Sequence, residues 1–173
     1  MPDVFGKGDK GCQEKRAGRP PVIDHNEVDG AKRLTEVAPF PVIVGEEVVT
    51  REGAGLFLRE GTPRFIFWRR RWPGSKSKEG LVYATHPLAR GVPQSVGREA
   101  LESIIDRIEI IEGFNARIRH ESDNESAKET ARRYSIAMAA GSDAHFPWEV
   151  GRAGIEIAPF SSPQEFLQNL RQA

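Results

Sequence analysis

Ile136-Ala-Met-Ala-Ala140 runs into Gly141-Ser142-Asp143-Ala144-His145. A short apolar run that ends in glycine and polar residues suits a buried strand. Just beyond it a carboxylate and an imidazole stand two positions apart, and on extended backbone such side chains point the same way. Asp143 and His145 can thus address one point in space. They would do so past the C-terminal end of a strand, where parallel α/β sheets carry their sites.

The same arrangement recurs upstream. Val22-Ile23 leads into Asp24-His25, Pro41-Val-Ile-Val44 into Gly45-Glu46-Glu47, and Gly80-Leu-Val-Tyr-Ala84 into Thr85-His86-Pro87. A short strand over 108–111 runs into Glu112-Gly113-Phe114-Asn115, and residues 154–157 read as a last strand. Residues 48–50 and 55–58 read as the arms of a hairpin around 51–53.

Helices are expected between these strands. Val28, Ala31, Leu34 and Val37 recur at helical spacing over 28–38, and Ala100, Leu101, Ile104, Ile105 and Ile108 form one stripe from a helix over 95–107. A third helix is expected over 125–134. A fourth is capped by Ser162, with Pro163 first and Glu165 three residues after the cap. The alternation of strand and helix predicts an α/β fold with a mostly parallel sheet.

Three of the four histidines, His25, His86 and His145, therefore fall just past strand ends. Each alone reads as an ordinary loop residue; their recurrence at strand ends points to a site. Glu46 and Glu47 are rival carboxylates at the end of the second strand, and His120, in a polar loop, is expected to play no part. Neutral imidazoles mixed with carboxylates suit Zn²⁺, Mn²⁺ or Fe²⁺, whereas all-oxygen sets suit Mg²⁺ or Ca²⁺. Neighbouring ions sharing a carboxylate could hold a hydroxide and neutralise a phosphate ester.

Composition narrows the alternatives. The 25 basic and 25 acidic side chains cancel, so bulk charge gives no signal for nucleic acid or membrane. The Arg69-Arg-Arg71 cluster among aromatics is too short to alter that. One cysteine, Cys12, excludes an internal disulfide framework and a cysteine zinc cluster. No apolar run approaches the roughly 20 residues of a membrane span, and the first 21 residues lack the apolar core of a secretory signal. A cytoplasmic location is the resulting expectation.

Five motifs together resemble the polymerase and histidinol phosphatase (PHP) superfamily: residues 24–31, Val44-Gly-Glu-Glu-Val48, Ala84-Thr-His-Pro87, Glu112-Gly-Phe-Asn115 and Gly141-Ser-Asp-Ala-His145, in that order. The resemblance runs from Val22 to Ile157, apart from 61–79. It implies a distorted (β/α)₇ barrel that hydrolyses phosphate esters with a metal-held hydroxide, using up to three ions at the C-terminal strand ends. By position, His25 and His145 look like ligands of one metal, Glu47 like a bridging carboxylate, His86 like a ligand of a second metal, and Asp143 like a ligand of the first. Asp24 and Asn115 are further candidates, and Arg90 is placed to reach a substrate phosphate. The implied substrate is a small phosphorylated molecule, such as a nucleotide.

One departure stands out. Relatives open with a strand ending in His-x-His, whereas residues 1–21 contain no histidine. The implied barrel is then incomplete at its N-terminus and holds fewer than three ions. A catalytically impaired domain that keeps part of a metal site and serves as a binding module is the alternative reading. Residues 1–21 read as a disordered or unrelated tail and 22–173 as one domain. Within it, 61–79 reads as an atypical insert or a frame-disrupted segment, which reading the other frames of the coding DNA would test.

Overall fold

A computed structural model describes residues 18–25, 27–49, 54–58 and 81–173. The expected tail through residue 17, the hairpin turn 51–53 and the segment 61–79 lie outside the described residues. Six strands form one sheet: β1 (Pro21–His25), β2 (Ile43–Val49), β3 (Ala54–Leu58), β4 (Leu81–Ala84), β5 (Ile110–Asn115) and β6 (Ala137–Gly141). The helices are α1 (Asp29–Val37), α2 (Arg98–Ser103), α3 (Glu121–Tyr134) and α4 (Pro163–Leu170).

Neighbours in the sheet follow chain order from β1 to β6. Pairing is parallel for β1/β2, β4/β5 and β5/β6, and antiparallel on both sides of β3. Five strands consequently run one way, with β3 opposed, and their C-terminal ends share one rim. The mostly parallel α/β sheet matches the expectation, whereas the seven-stranded barrel, expected to be incomplete at its N-terminus, does not appear among the described residues. Among the described residues β6 does not pair with β1, so the sheet stays open. Closure depends on backbone bonding between chain segments far apart in sequence, which motif order does not encode.

The sheet is buried on both faces. On one, Val82, Ala84 and Ile111 pack with Leu101 and Ile104 around α2 and with Ala127 and Ala131 of α3. On the other, Leu81, Tyr83, Ile110, Ala137 and Ala139 pack with Leu170 of α4. This two-sided burial explains the near-continuous apolar text of β4 and of the start of β5.

Several boundaries differ from expectation for identifiable reasons. β2 continues through Glu47 to Val49 because its second half pairs with β3, so Glu47 lies within a strand rather than after it. The helix expected over 95–107 is a six-residue α-helix followed by a 3₁₀ turn, Ile105–Arg107; it cannot begin before Gly97, whose φ is 79°. Residues 154–157 form no strand, and nearby carbonyls at Ala158 and Pro159 instead accept from the Asn169 amide. Val37, expected in the core, is 70% exposed. Ser162 caps α4 as expected, accepting from the Glu165 N–H at 3.2 Å.

Candidate functional site

The expected site residues lie along the C-terminal rim, arranged in two halves. Parallel pairing of β1 with β2 puts His25 beside Glu47. His25 Nδ1 is 3.4 Å from Glu47 Oε2, while His86 Nε2 is 3.7 Å from Oε1. Thr85 Oγ1 also donates to Oε1, at 3.4 Å. Glu47 therefore carries an imidazole on each oxygen, and it rather than Glu46 is the carboxylate at this site. Strand alternation sends Glu46 to the opposite face, where it is buried.

His86 is itself buried, and its Nδ1 has no hydrogen-bond partner. Its backbone is fixed at both ends. The N–H donates to Glu112 Oε2 at 2.7 Å, and the carbonyl accepts from Ala89 N and Ser95 Oγ. His86 and Asp143 have φ values of 28° and 49°, a region disfavoured for side-chain-bearing residues and found where surrounding contacts enforce it.

The second half is built on Asp143 and His145. His145 Nδ1 lies 3.0 Å from the Asp143 carbonyl and 3.6 Å from its Oδ1. A carbonyl can only accept, so Nδ1 carries the proton and Nε2 the free lone pair. Glu149, buried behind the loop, accepts from the backbone N–H of His145 at 2.8 Å and of Phe146 at 3.2 Å. It also pairs with Arg117 Nη1 at 2.9 Å. The His145 N–H, followed by the Arg117 and Arg152 charges, holds the Glu149 carboxyl below the ordinary carboxylate range.

Between the halves sits Glu112, to which the sequence reading gave no role. Burial pushes its carboxyl up, against the opposing pull of the Asn115 amide and the His86 N–H. Tyr83 OH donates to its Oε1 at 3.2 Å and Asn115 Nδ2 to its Oε2 at 2.9 Å. Glu112 and Asn115 share a face because the β5/β6 register slips between Glu112 and Phe114. Such a bulge breaks strict alternation. An isolated glycine within a strand, here Gly113, was the available signal.

The remaining candidates fare differently. The Asn115 amide oxygen accepts the Arg117 N–H at 2.9 Å, while its Nδ2 donates to Glu112 and, at 3.3 Å, to Asp143 Oδ2. Asn115 thus bridges carboxylates and turns its oxygen to the backbone. Asp24 Oδ1 accepts the His25 N–H at 2.7 Å. Arg90 is committed to Asp123, through both its backbone N–H and Nε, and to Ser122. The guanidinium beside the site belongs to Arg117, whose Nε is 4.0 Å from Asp143 Oδ2. No signal local to either arginine distinguishes them in sequence.

The donor chemistry suits a transition ion, yet among the described residues no three His, Cys, Asp or Glu side chains form a metal-holding group. The candidate donors meet in pairs: His25 and His86 each contact Glu47, and His145 contacts Asp143.

An α/β sheet with imidazoles and carboxylates along its C-terminal rim defines the class. A family model described as PHP-associated matches residues 121–173, from α3 through the Asp143/His145 loop to the end of the chain. An uncharacterized protein of Methanocaldococcus jannaschii is 34% identical over 164 residues, which cover 88% of this chain and 66% of that protein. The chain thus spans just under two thirds of that relative. Two crystal structures share the fold. PsfC from Pseudomonas syringae matches with a TM-score of 0.71 at 14% identity, covering 95% of this chain and 79% of that one. A Bifidobacterium adolescentis protein, described as a candidate metal-dependent phosphoesterase, matches with a TM-score of 0.59 at 13% identity, covering 94% and 90%. Over residues 121–173 the chain is thus similar to the PHP-associated family, and over most of its length it shares the fold of these two structures. None of its helices among the described residues is long and apolar enough to cross a membrane.

Proposed function

We propose that this rim is the active site of a metal-dependent phosphoesterase. The observation that carries this reading is Glu47 with an imidazole on each carboxylate oxygen, set on the same rim as an Asp143/His145 pair whose Nε2 lone pair is free. Glu47 with His25 or His86 would contribute to one ion, and Asp143 and His145 to another; Zn²⁺, Mn²⁺ and Fe²⁺ fit these donors. A bound ion supplies charge neutralisation of the phosphate ester and a more acidic water. Arg117, paired with Glu149 and near Asp143, would face the phosphate in place of Arg90, whose guanidinium is held by Asp123 and Ser122. The substrate class is a small phosphorylated molecule. The structure from B. adolescentis, described as a candidate for this activity, has the same fold and supports the reading.

The experiment pairs metal analysis of the purified protein with hydrolysis of p-nitrophenyl phosphate in Mn²⁺. Two or three ions per chain with turnover supports the enzyme, and His145→Ala should abolish both while His120→Ala leaves both intact. Equal behaviour of the two variants overturns the assignment. One ion or none, with no turnover in added Mn²⁺, favours the second reading: a binding domain with a partial metal site. The open arrangement of the described donors is the observation on that side.

A further inference from the structure

We propose that Glu112 is a positioning residue that couples the two halves of the site, holding the His86 loop and the Asp143 loop in a fixed relation through one buried carboxylate. Its Oε2 accepts the His86 N–H and the Asn115 amide, and the same Asn115 Nδ2 reaches Asp143 Oδ2. A displacement of either loop must break one of these bonds or carry the other loop with it. The Tyr83 hydroxyl on Oε1 anchors the hub to the middle of the sheet.

The arrangement imposes two local requirements. A Cβ on Gly141 would lie 2.3 Å from Glu112 Oε1, closer than any side chain tolerates, so glycine at the end of β6 leaves room for the carboxylate. The slip at Gly113 is what brings Asn115 onto the same face. Glu112 is only 4% exposed, and a buried carboxylate is commonly no more stable than a well-packed apolar residue in its place. Its value lies in where it holds the two loops. The consequence for metal binding rests on the phosphoesterase reading; the mechanical coupling does not.

The test uses the full chain, with Glu112→Gln, Gly141→Ala and the double variant Gly141→Ala/Glu112→Asp. Metal-free NMR follows the backbone and imidazole signals of His86, Asp143 and His145, and Zn²⁺ affinity is measured by competition with a chelating dye. Glutamine puts a donor where three donors already converge, so Glu112→Gln should shift the signals of both loops together. Zn²⁺ should bind about 10–100-fold more weakly, as for other residues that orient metal ligands. Gly141→Ala should do the same, and the shorter aspartate should restore part of the loss.

Movement at His86 with Asp143 and His145 unchanged overturns the coupling, as does Zn²⁺ affinity that stays within about twofold of wild type. If wild type binds no Zn²⁺, the phosphoesterase reading fails on its own, and the metal-free spectra alone decide the coupling. If Glu112→Gln does not fold, Gly141→Ala and its rescue decide: partial restoration supports the proposal and none overturns it.

Discussion

Around Glu47 the donors face one another, whereas around Asp143 they are held from behind. His25, on the edge strand, makes a side-chain contact with Glu47, and the His86 ring meets the same carboxylate while its Nδ1 has no partner. At the other half, Asp143 receives Asn115, His145 is fixed in one tautomer by a carbonyl, and Glu149 gathers two backbone N–H groups and Arg117. Metal-ligating imidazoles are ordinarily oriented by a partner on the second nitrogen. Donor type and donor support are therefore separate properties of this rim. The Asp143 half is preorganised by its surroundings, and the Glu47 half depends on a single shared carboxylate.

The largest expected effect follows from that dependence. Glu47→Ala leaves two imidazoles with no common partner, so Zn²⁺ binding should fall by more than the about 10–100-fold typical of a supporting residue. NMR signals of Asp143 and His145 in the metal-free protein should stay in place. Calorimetric titration checks the first expectation. Binding equal to wild type would remove Glu47 from the ligand set and with it the contrast between the halves.

A smaller effect is expected where support is distributed. Glu149→Ala removes the acceptor of the His145 and Phe146 N–H groups and should lower kcat/KM in Mn²⁺ by about tenfold. Amide hydrogen exchange should quicken at His145 and Phe146 while the His86 N–H, held by Glu112, keeps its protection. Faster exchange at all three would mean that the halves do not differ in how they are held.

Legibility in sequence followed the same division. The candidate residues His25, Glu47, His86, Asp143 and His145 could be picked out because each stands at a turn from apolar to polar text at the end of a short run. The parallel α/β class was legible for the same reason. The supports could not be read this way, because a pattern-based reading equates burial with apolar residues, and Glu112, Asn115, Asp123 and Asn124 are buried polar groups. Asp123 and Asn124 also explain why α3 begins four residues before the expected start: their partners are Arg90, 33 residues away, and the Asn115 backbone at the end of β5, and helical periodicity registers neither. Long-range pairing likewise ties Arg90 to Asp123 and leaves the sheet open among the described residues.

The finest test of the contrast is in pH, because the hub and the loop support titrate in opposite senses. The folded Glu149 lies below its ordinary value of 4.5, held there first by the His145 N–H. Its contribution to stability is therefore complete above that value and lost as pH falls through the depressed folded value. Burial raises the folded Glu112 above the same ordinary value. Between 4.5 and its raised folded value the folded protein binds more protons than the unfolded chain, so stability rises as pH falls across that window. Melting temperatures of metal-free protein against pH should therefore show two separable components. Glu149→Gln should reduce the acid loss, which Asp123, Glu125 and Glu165 share, and leave the higher-pH window unchanged, while Glu112→Gln should reduce the gain in that window, which Glu109 shares, and leave the acid loss. If Glu149→Gln instead alters the higher window, the two carboxylates titrate as coupled groups, and the contrast between the halves in how they are held no longer stands.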